Sequence, residues 1–474
     1  MKKILFTFFF YCFGLVSQSS YSQMAYESLV IHNGAFLNIE HALSDYIQYN
    51  SISGNEKAAG EWLKEVCVEN NLFIKQMGDE NGKYNFSASL YPLSEQLPNI
   101  IFLNHIDVVP PGEYSTWTHD PFSGEIIDNE IWGRGAFDNK GNAVMQLYAL
   151  LDIKRKYHNK QLPFNITFLA VSSEETQSDG GVKYVVNNFL KELNPEVVIG
   201  EGSPGLIGML DPDSKIPLFS ISVAHKRALW IELELNIETS SHGSVTPIEY
   251  ATKEMNAALY QVLKKEQKPV FTDLNVKVLK QLGKVQGGFK GWFLKHPKLF
   301  KSLLIPQLRK TPEMFSIFSN TITLTSIESY SEAINVIPSK VTAHLDCRLL
   351  PTVSSESFLA KLTKKLANDN IKIKILQSMP DIRSSDSNSK YYQSIYKAIK
   401  HTYPSSEVIT ILLPNFNDVG VFRQAVVPGF AISPVILEKK YLETIHNINE
   451  RIPVSILAKG QQAYVYFIDE LLKQ

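Results

Sequence analysis

Cysteine is nearly absent from this chain, with three in 474 residues. Cys12 falls inside an apolar N-terminal run, and Cys67 and Cys347 stand too far apart in sequence to make a disulfide framework. Both lie in amphipathic or alternating segments and read as small buried apolar residues. Thiolate pairs and clustered histidines are missing too, which excludes a zinc finger and leaves carboxylates and dispersed histidines as the only metal ligands. An excess of one charge is also lacking. The chain has 47 Lys and Arg against 48 Asp and Glu, a formal net charge of −1. No basic block is long enough to suggest a nucleic-acid surface. Internal repeats and low-complexity tracts are absent.

What is present describes an ordinary globular protein, 44% apolar and 20% charged, and long enough to expect two domains. The first residues differ from the rest. Lys2 and Lys3 precede the apolar run Ile4 to Val16, and Ser20-Tyr21-Ser22 supplies small residues for cleavage. Residues 1–22 read as a secretory signal, too short for a comfortable membrane span; an uncleaved anchor is the competing reading. Cleavage would remove two lysines and no acid, leaving a net charge of about −3 and an exported, periplasmic or secreted protein.

Ser53 and Glu56 have capping-box spacing ahead of a helix through Trp62, Leu63, Val66 and Cys67. Asn99 to Leu103, Ile166 to Val171 and Glu196 to Ile199 are short apolar runs expected as buried strands. Helices are expected after Asp138-Asn139-Lys140-Gly141 and over Val182 to Leu193. This alternation implies an α/β sheet with helices on both faces, and such sheets place sites at the carboxyl ends of their strands. From about Ser220 the pattern changes to half-exposed strands (Trp230 to Leu235, Thr321 to Ile327, Lys340 to Leu349, Ile371 to Leu376) and two helices (Ile248 to Lys264, Ser355 to Ala367). These suggest a small inserted α+β layer. The basic, aromatic stretch Phe289 to Arg309 interrupts it and reads as a solvated surface helix pair, with a membrane-touching patch or part of a substrate mouth as alternatives. The expected organisation is a catalytic domain in two parts, 23–219 and 382–474, around an insert at 220–381.

The strand ends carry the chemistry. Val171 is followed by two adjacent carboxylates, Glu174 and Glu175, which repel unless a cation or a proton intervenes. Other strand ends offer His105 with Asp107, Asp138, and Glu201, while His446 lies near the C-terminus. Together they form a set of oxygen and imidazole ligands that suits a hydrolytic zinc pair.

Several ordered motifs then carry a family resemblance. They are His105-Ile106-Asp107-Val108-Val109-Pro110, Trp117 to Gly124, Gly133 to Gly141, Ser173-Glu174-Glu175, Asn335-Val336-Ile337-Pro338, Asp346-Cys347-Arg348 and His446 to Arg451. They resemble the di-zinc peptidases that include aminoacylase, carnosinase, succinyl-diaminopimelate desuccinylase and carboxypeptidase S. The long block from Trp117 and the long insert look like the carboxypeptidase S branch, which also holds N-fatty-acyl amino acid hydrolases. The resemblance implies a zinc-peptidase domain with a mixed central sheet flanked by helices, and a ferredoxin-like inserted lid or dimerisation domain. By motif, Asp138 would bridge two zinc ions (or cobalt or manganese in their place). His105 and Glu201 would complete one metal site, and Glu175 and His446 the other. Asp107 would fix the far nitrogen of His105, and Glu174 would be the general base in amide hydrolysis. His242 would reach into the partner subunit's site within a homodimer, and Asn335 and Arg348 would bind substrate.

Two departures from the family pattern stand out. His225-Lys226-Arg227 occupies a Glu-Lys-Gly position, and Asn415 to Gly420 replaces Gly-Gly-Thr-Asp-Ser-Arg, so either the substrate's carboxyl end is expected to be held differently or the preferred substrate to be altered. Gly200 replaces an acid, as the desuccinylase branch also does. A carboxypeptidase of short peptides leads this reading. An N-acyl-amino-acid amidohydrolase and a non-catalytic zinc-containing binding protein are the alternatives. Only the aromatic cluster Phe289, Trp292, Phe293 and Phe300 hints at an acyl pocket.

Overall fold

The computed structural model describes residues 30–209, 214–238, 242–264, 267–329, 331, 333–380 and 383–474. The expected signal segment, residues 1–22, lies outside the described residues. Twelve strands concern us, in two sheets. The first six are β1 (Phe73–Glu80), β2 (Lys83–Ser89), β3 (Asn99–His105), β4 (Asn165–Val171), β5 (Pro195–Gly200) and β6 (Leu218–His225). Next come β7 (Arg227–Asn236), β8 (Thr321–Ser329), β9 (Lys340–Leu349) and β10 (Lys372–Ser378). The chain then returns with β11 (Glu407–Leu413) and β12 (Gly429–Ala431).

The main sheet has eight strands in the order β11-β6-β12-β5-β3-β4-β2-β1. Its centre is parallel, β12 with β5, β5 with β3 and β3 with β4, while β2 and β1 add antiparallel strands at one edge. Every residue of β3 and β4 is buried. Alternation along β3 sends Ile100 and Phe102 into one core and Ile101 and Leu103 into the other, as the two-residue period of a strand requires. Both faces are apolar because helices cover both, the arrangement expected of a central parallel sheet. On the first face lie α1 (Lys57–Glu69) and α2 (Lys140–Lys156), and on the second α3 (Val182–Leu193). The fold is therefore mixed α/β.

The second sheet is antiparallel, in the order β8-β9-β7-β10. One face is covered by α4 (Ala251–Leu263) and α8 (Ser355–Leu366) through Met255, Leu259, Phe358 and Leu362. Chain order β-α-β-β-α-β with strand order 4-1-3-2 is the ferredoxin-like arrangement.

Three details differ from the sequence reading. Ser53 and Glu56 form no capping box. The Ser53 hydroxyl donates to Asp107 Oδ2 (2.7 Å), and the Glu56 carboxylate accepts from the Gly54 and Gly82 amides. The boundary read at 220 falls inside β6, which pairs with β11 in the main sheet; the chain crosses to the second sheet at Lys226. Within the insert, α5 (Asp273–Gln286), α6 (Gly288–Lys295) and α7 (Lys301–Leu308) are not part of the small layer. Val278, Leu279, Leu282, Leu304 and Leu308 join the main core, and Gln281 accepts from the Thr410 amide on edge strand β11 (2.9 Å). Apolar burial along a sheet edge overrides sequence continuity here. The C-terminal return supplies α9 (Lys390–Thr402), α10 (Val419–Gln424) and α11 (Ser455–Leu471).

Candidate di-metal site

His105 is the last residue of β3, with its ring buried. Its Nε2 lies 3.2 Å from Asp138 Oδ1 and 3.2 Å from Glu201 Oε2. On the other side of Asp138, His446 Nε2 lies 3.1 Å from Asp138 Oδ2 and 3.1 Å from Glu175 Oε1. Two triads thus share one carboxylate, His105-Asp138-Glu201 and Asp138-Glu175-His446, with one ligand atom from each residue within 4.8 Å of the others in its triad. Asp138 turns one oxygen to each triad. All five side chains expected from the sequence converge here, from strand ends and turns separated by up to several hundred residues.

The loops that deliver them are held by other carboxylates. His105 Nδ1 meets the backbone carbonyl of Asp107 at 2.9 Å, with the Asp107 carboxylate farther off at 3.5 Å. Asp107 therefore orients the ring mainly through its main chain. Its carboxylate accepts from the Ser53 hydroxyl and from the amides of Glu174 (3.0 Å) and Glu175 (3.1 Å). Ser173, just before the acid pair, sits at φ +60°, and His446 at φ +58°. Left-handed conformations are costly for side chains with a Cβ and persist where the surroundings fix them, often at functional sites. Here the left-handed turn at Ser173 and the Asp107 carboxylate together aim Glu174 and Glu175.

Glu450 does for Asp138 what Asp107 does for the acid pair. Its buried carboxylate accepts from Arg134 Nη1 (2.7 Å) and from the amides of Gly135 (3.0 Å), Phe137 (3.0 Å) and Asp138 (3.3 Å). In the sequence Arg134 and Glu450 are motif positions without an evident role. Their signal was charge without an obvious solvent face, inside otherwise ligand-bearing loops.

Electrostatics decide whether these residues fit cations. Burial pushes the Glu174 carboxyl well above its usual range, and Glu201, Asp418 and Glu175 add to it. Burial likewise raises Glu201 to about 7, with Asp138 repelling its charge. Asp418 is raised well above the carboxylate range by burial and by Asp107 and Glu201, and its Oδ2 has no hydrogen-bond partner. His446 is pushed up to about 10 by its hydrogen bonds to Asp138 and Glu175. For His105, burial disfavours the charged ring, yet Glu201, Asp107 and Asp138 raise it well above its usual value. Six carboxylates and two imidazoles are short of positive charge. The oxygen and nitrogen donor set fits a pair of divalent ions that would supply it.

The remaining expected residues lie elsewhere. His242 and Asn335 pair with each other in the small layer, Asn335 Nδ2 donating to His242 Nε2 (2.5 Å). Among the described contacts, neither has a hydrogen bond or ion pair to the carboxylate cluster. Arg348, on β9, is held by both oxygens of Asp346 (2.8 and 3.0 Å). The two departures from the family pattern prove to be one structural unit. The His225 ring stands edge-on to Phe416 (4.7 Å) and receives a hydrogen bond from Arg423 at Nδ1 (2.8 Å). A Cβ at Gly420 would lie 2.3 Å from that ring, so His225 occupies the room a side chain at 420 would need. Asn417 Nδ2 meanwhile donates to the Glu201 carbonyl (3.0 Å), tying this unit to the site.

The chain is 27% identical over 418 residues to the Dictyostelium discoideum protein "Probable carboxypeptidase S-like 2", covering 87% of this chain and 78% of that one. It is 26% identical over 456 residues to the N-fatty-acyl-amino acid synthase/hydrolase PM20D1 of Mus musculus, covering 92% and 87%. It shares the fold of an M20 family metallo-carboxypeptidase from Sulfolobus solfataricus, with a TM-score of 0.68 at 20% identity over 92% of this chain and 99% of that one. The sequence pattern of peptidase family M20/M25/M40 matches residues 101–470, and with that match the chain belongs to this family of hydrolases.

Proposed function

We propose that the protein is an exported di-zinc carboxypeptidase, cleaving short peptides with a free carboxyl end, in which Glu174 is the general base. The observation that carries this reading is the pair of triads sharing Asp138 beside a buried second carboxyl, Glu174. His105 and Glu201 would hold one ion, Glu175 and His446 the other, with Asp138 between them. Two divalent ions, once bound, supply Lewis acidity that acidifies a water and polarises an amide carbonyl.

The chain's own groups do the rest. Glu174 is positioned to take a proton, because Gln177 Nε2 donates to its Oε1 (3.1 Å) and its amide is fixed on Asp107. Burial raises the proton affinity of its carboxyl, so a proton taken up there can be held and passed on to the leaving amine. Asp107 keeps the His105 ring and the acid pair in register. Arg348 offers a guanidinium for a substrate carboxylate, and Asn335 and His242 offer polar groups on the inserted layer. Within a homodimer these last two would act in the partner subunit's site.

A second reading, hydrolysis of N-acyl amino acids, is favoured by the relative named an N-fatty-acyl-amino acid synthase/hydrolase. Against it, Phe289 and Trp292 stand exposed, in a cluster whose rings contact one another and His296, rather than lining an enclosed pocket. Mass-spectrometric product analysis of a pool of blocked dipeptides and N-acyl amino acids tests both readings, using zinc-loaded protein and its Glu174→Gln variant. Peptide products from the wild type alone are expected. Acyl products alone would select the second reading. Bound zinc with no turnover in either protein would leave a non-catalytic binding protein.

A further inference from the structure

The helical hairpin α6–α7 carries a surface feature that amide hydrolysis does not use. Between Asp273 and Glu313 the sequence holds nine Lys and Arg residues and no acid, in a chain whose net charge is −1. The same stretch exposes large apolar side chains: Phe289 is 74% exposed, Trp292 45%, Leu299 73% and Leu303 60%. Isolated exposed apolar residues are unremarkable, but a contiguous patch on a charged rim marks an interaction site. Here the patch is preorganised. Trp292 and Phe289 are stacked (6.2 Å), and Phe293 and Phe300 brace them from beneath (5.4 and 5.1 Å to Trp292).

The hairpin is also firmly seated. A Cβ on Gly283 would lie 2.6 Å from the Gly291 carbonyl oxygen, and one on Gly291 would lie 2.4 Å from that of Gly283, so α5 and α6 touch backbone to backbone. Leu304 and Leu308 anchor α7 in the main core. The outward rings and leucines therefore stand on a rigid base.

We propose that this hairpin docks the protein on the surface of an anionic phospholipid bilayer. Lys290, Lys295 and Lys301 are exposed beside the apolar group. Basic charge flanking Trp, Phe and Leu is the chemistry of interfacial helices, in which the apolar groups enter the headgroup boundary and the cations meet lipid phosphates. A polyanion such as nucleic acid would satisfy the lysines but leave the four apolar side chains in water. Among the described residues no helix is long and apolar enough to cross a membrane, so this contact lies on the surface.

The test is co-sedimentation of the full chain with vesicles of pure phosphatidylcholine, or of phosphatidylcholine containing one third phosphatidylglycerol. Binding is expected to the anionic vesicles and to weaken as salt rises. Both Phe289→Ser/Trp292→Ser and Lys290→Glu/Lys295→Glu should weaken it roughly tenfold or more, at about fivefold per cation. Unchanged hydrolysis of a soluble substrate should accompany that loss in both, and unchanged thermal unfolding in the lysine pair, whose side chains are exposed. Absence of binding, equal binding to neutral vesicles, or capture by heparin without vesicle binding would overturn the proposal. So would variants that bind as the wild type does, because that would assign the binding to another segment, such as the apolar run at residues 4–16.

Discussion

Glu450→Gln removes one negative charge and turns one acceptor oxygen into a donor without changing the size of the side chain. In the native protein four donors converge on that carboxylate, two on each oxygen: Arg134 Nη1 and the Gly135 amide on Oε2, and the amides of Phe137 and Asp138 on Oε1. Whichever way the new amide turns, two of these donors face an NH2 group, and the Arg134 charge loses its counter-ion. Both residues are fully buried, so water cannot replace what is lost. Stranding one member of a buried ion pair costs about 3–5 kcal/mol. An unmade amide hydrogen bond adds about 1–3 kcal/mol, and because the two overlap we expect a loss of about 4 kcal/mol. Against a typical total stability of about 5–15 kcal/mol the variant still folds, with a clearly lower urea midpoint. Because the same carboxylate positions the Asp138 backbone, zinc affinity should also fall, on the order of 10- to 100-fold as for other groups that orient metal ligands. Arg134→Met/Glu450→Gln removes the stranded charge and should recover part of the stability but none of the affinity. An unchanged urea midpoint together with unchanged zinc affinity in Glu450→Gln would refute the reasoning.

Further outcomes follow from Lys226, where the chain crosses between the sheets, and from the His225 unit. Burial, with repulsion from Arg348, lowers Lys226 to about 7, while an unfolded lysine titrates near its ordinary value. As pH falls from about 10.5 to 7 the unfolded chain takes up a proton that the folded one does not, so this lysine costs stability, by up to about 1.4 kcal/mol per pH unit. Lys226→Met should therefore exceed the wild type in stability by most near pH 7, with the advantage shrinking by pH 9 in paired urea titrations; an advantage independent of pH would contradict this. Gly420→Ala forces a Cβ into the His225 ring and should cost about 1–3 kcal/mol as overpacking does. His225→Ala should offset that loss, and additive single effects in a double-mutant cycle would refute the contact. The same contact means that Gly420→Arg alone tests crowding more than carboxylate recognition.

The site was largely legible in sequence and the packing around it was not. Asp138, Glu175 and Glu201 follow buried strands or flank the helix α2, where an α/β sheet puts polar groups for function, and motif order linked them to His105 and His446. Their joint geometry needs only that the strands pair in register. The supporting groups depend on contacts distant in sequence that no local pattern encodes. Ser53 looked like a helix cap because spacing cannot show that Asp107 would claim its hydroxyl. His225 and Gly420 looked like two departures because only the fold brings Arg423 and Phe416 against the same ring, across 198 residues in the case of the Arg423 bond. The stretch from Asp273 to Leu308 falls within the insert expected at 220–381 by chain order, whereas the apolar faces of its helices fit the open edge of the main sheet.

The most direct measurement is the number of zinc ions per chain, by plasma mass spectrometry, in the wild type, Glu174→Gln and Asp138→Asn. Two ions in the first two proteins and loss of both in the third are expected, because Asp138 turns an oxygen to each triad while Glu174, as proposed, acts only on the proton. Two ions retained without Asp138, or a wild type that holds none, would contradict a shared-carboxylate metal centre.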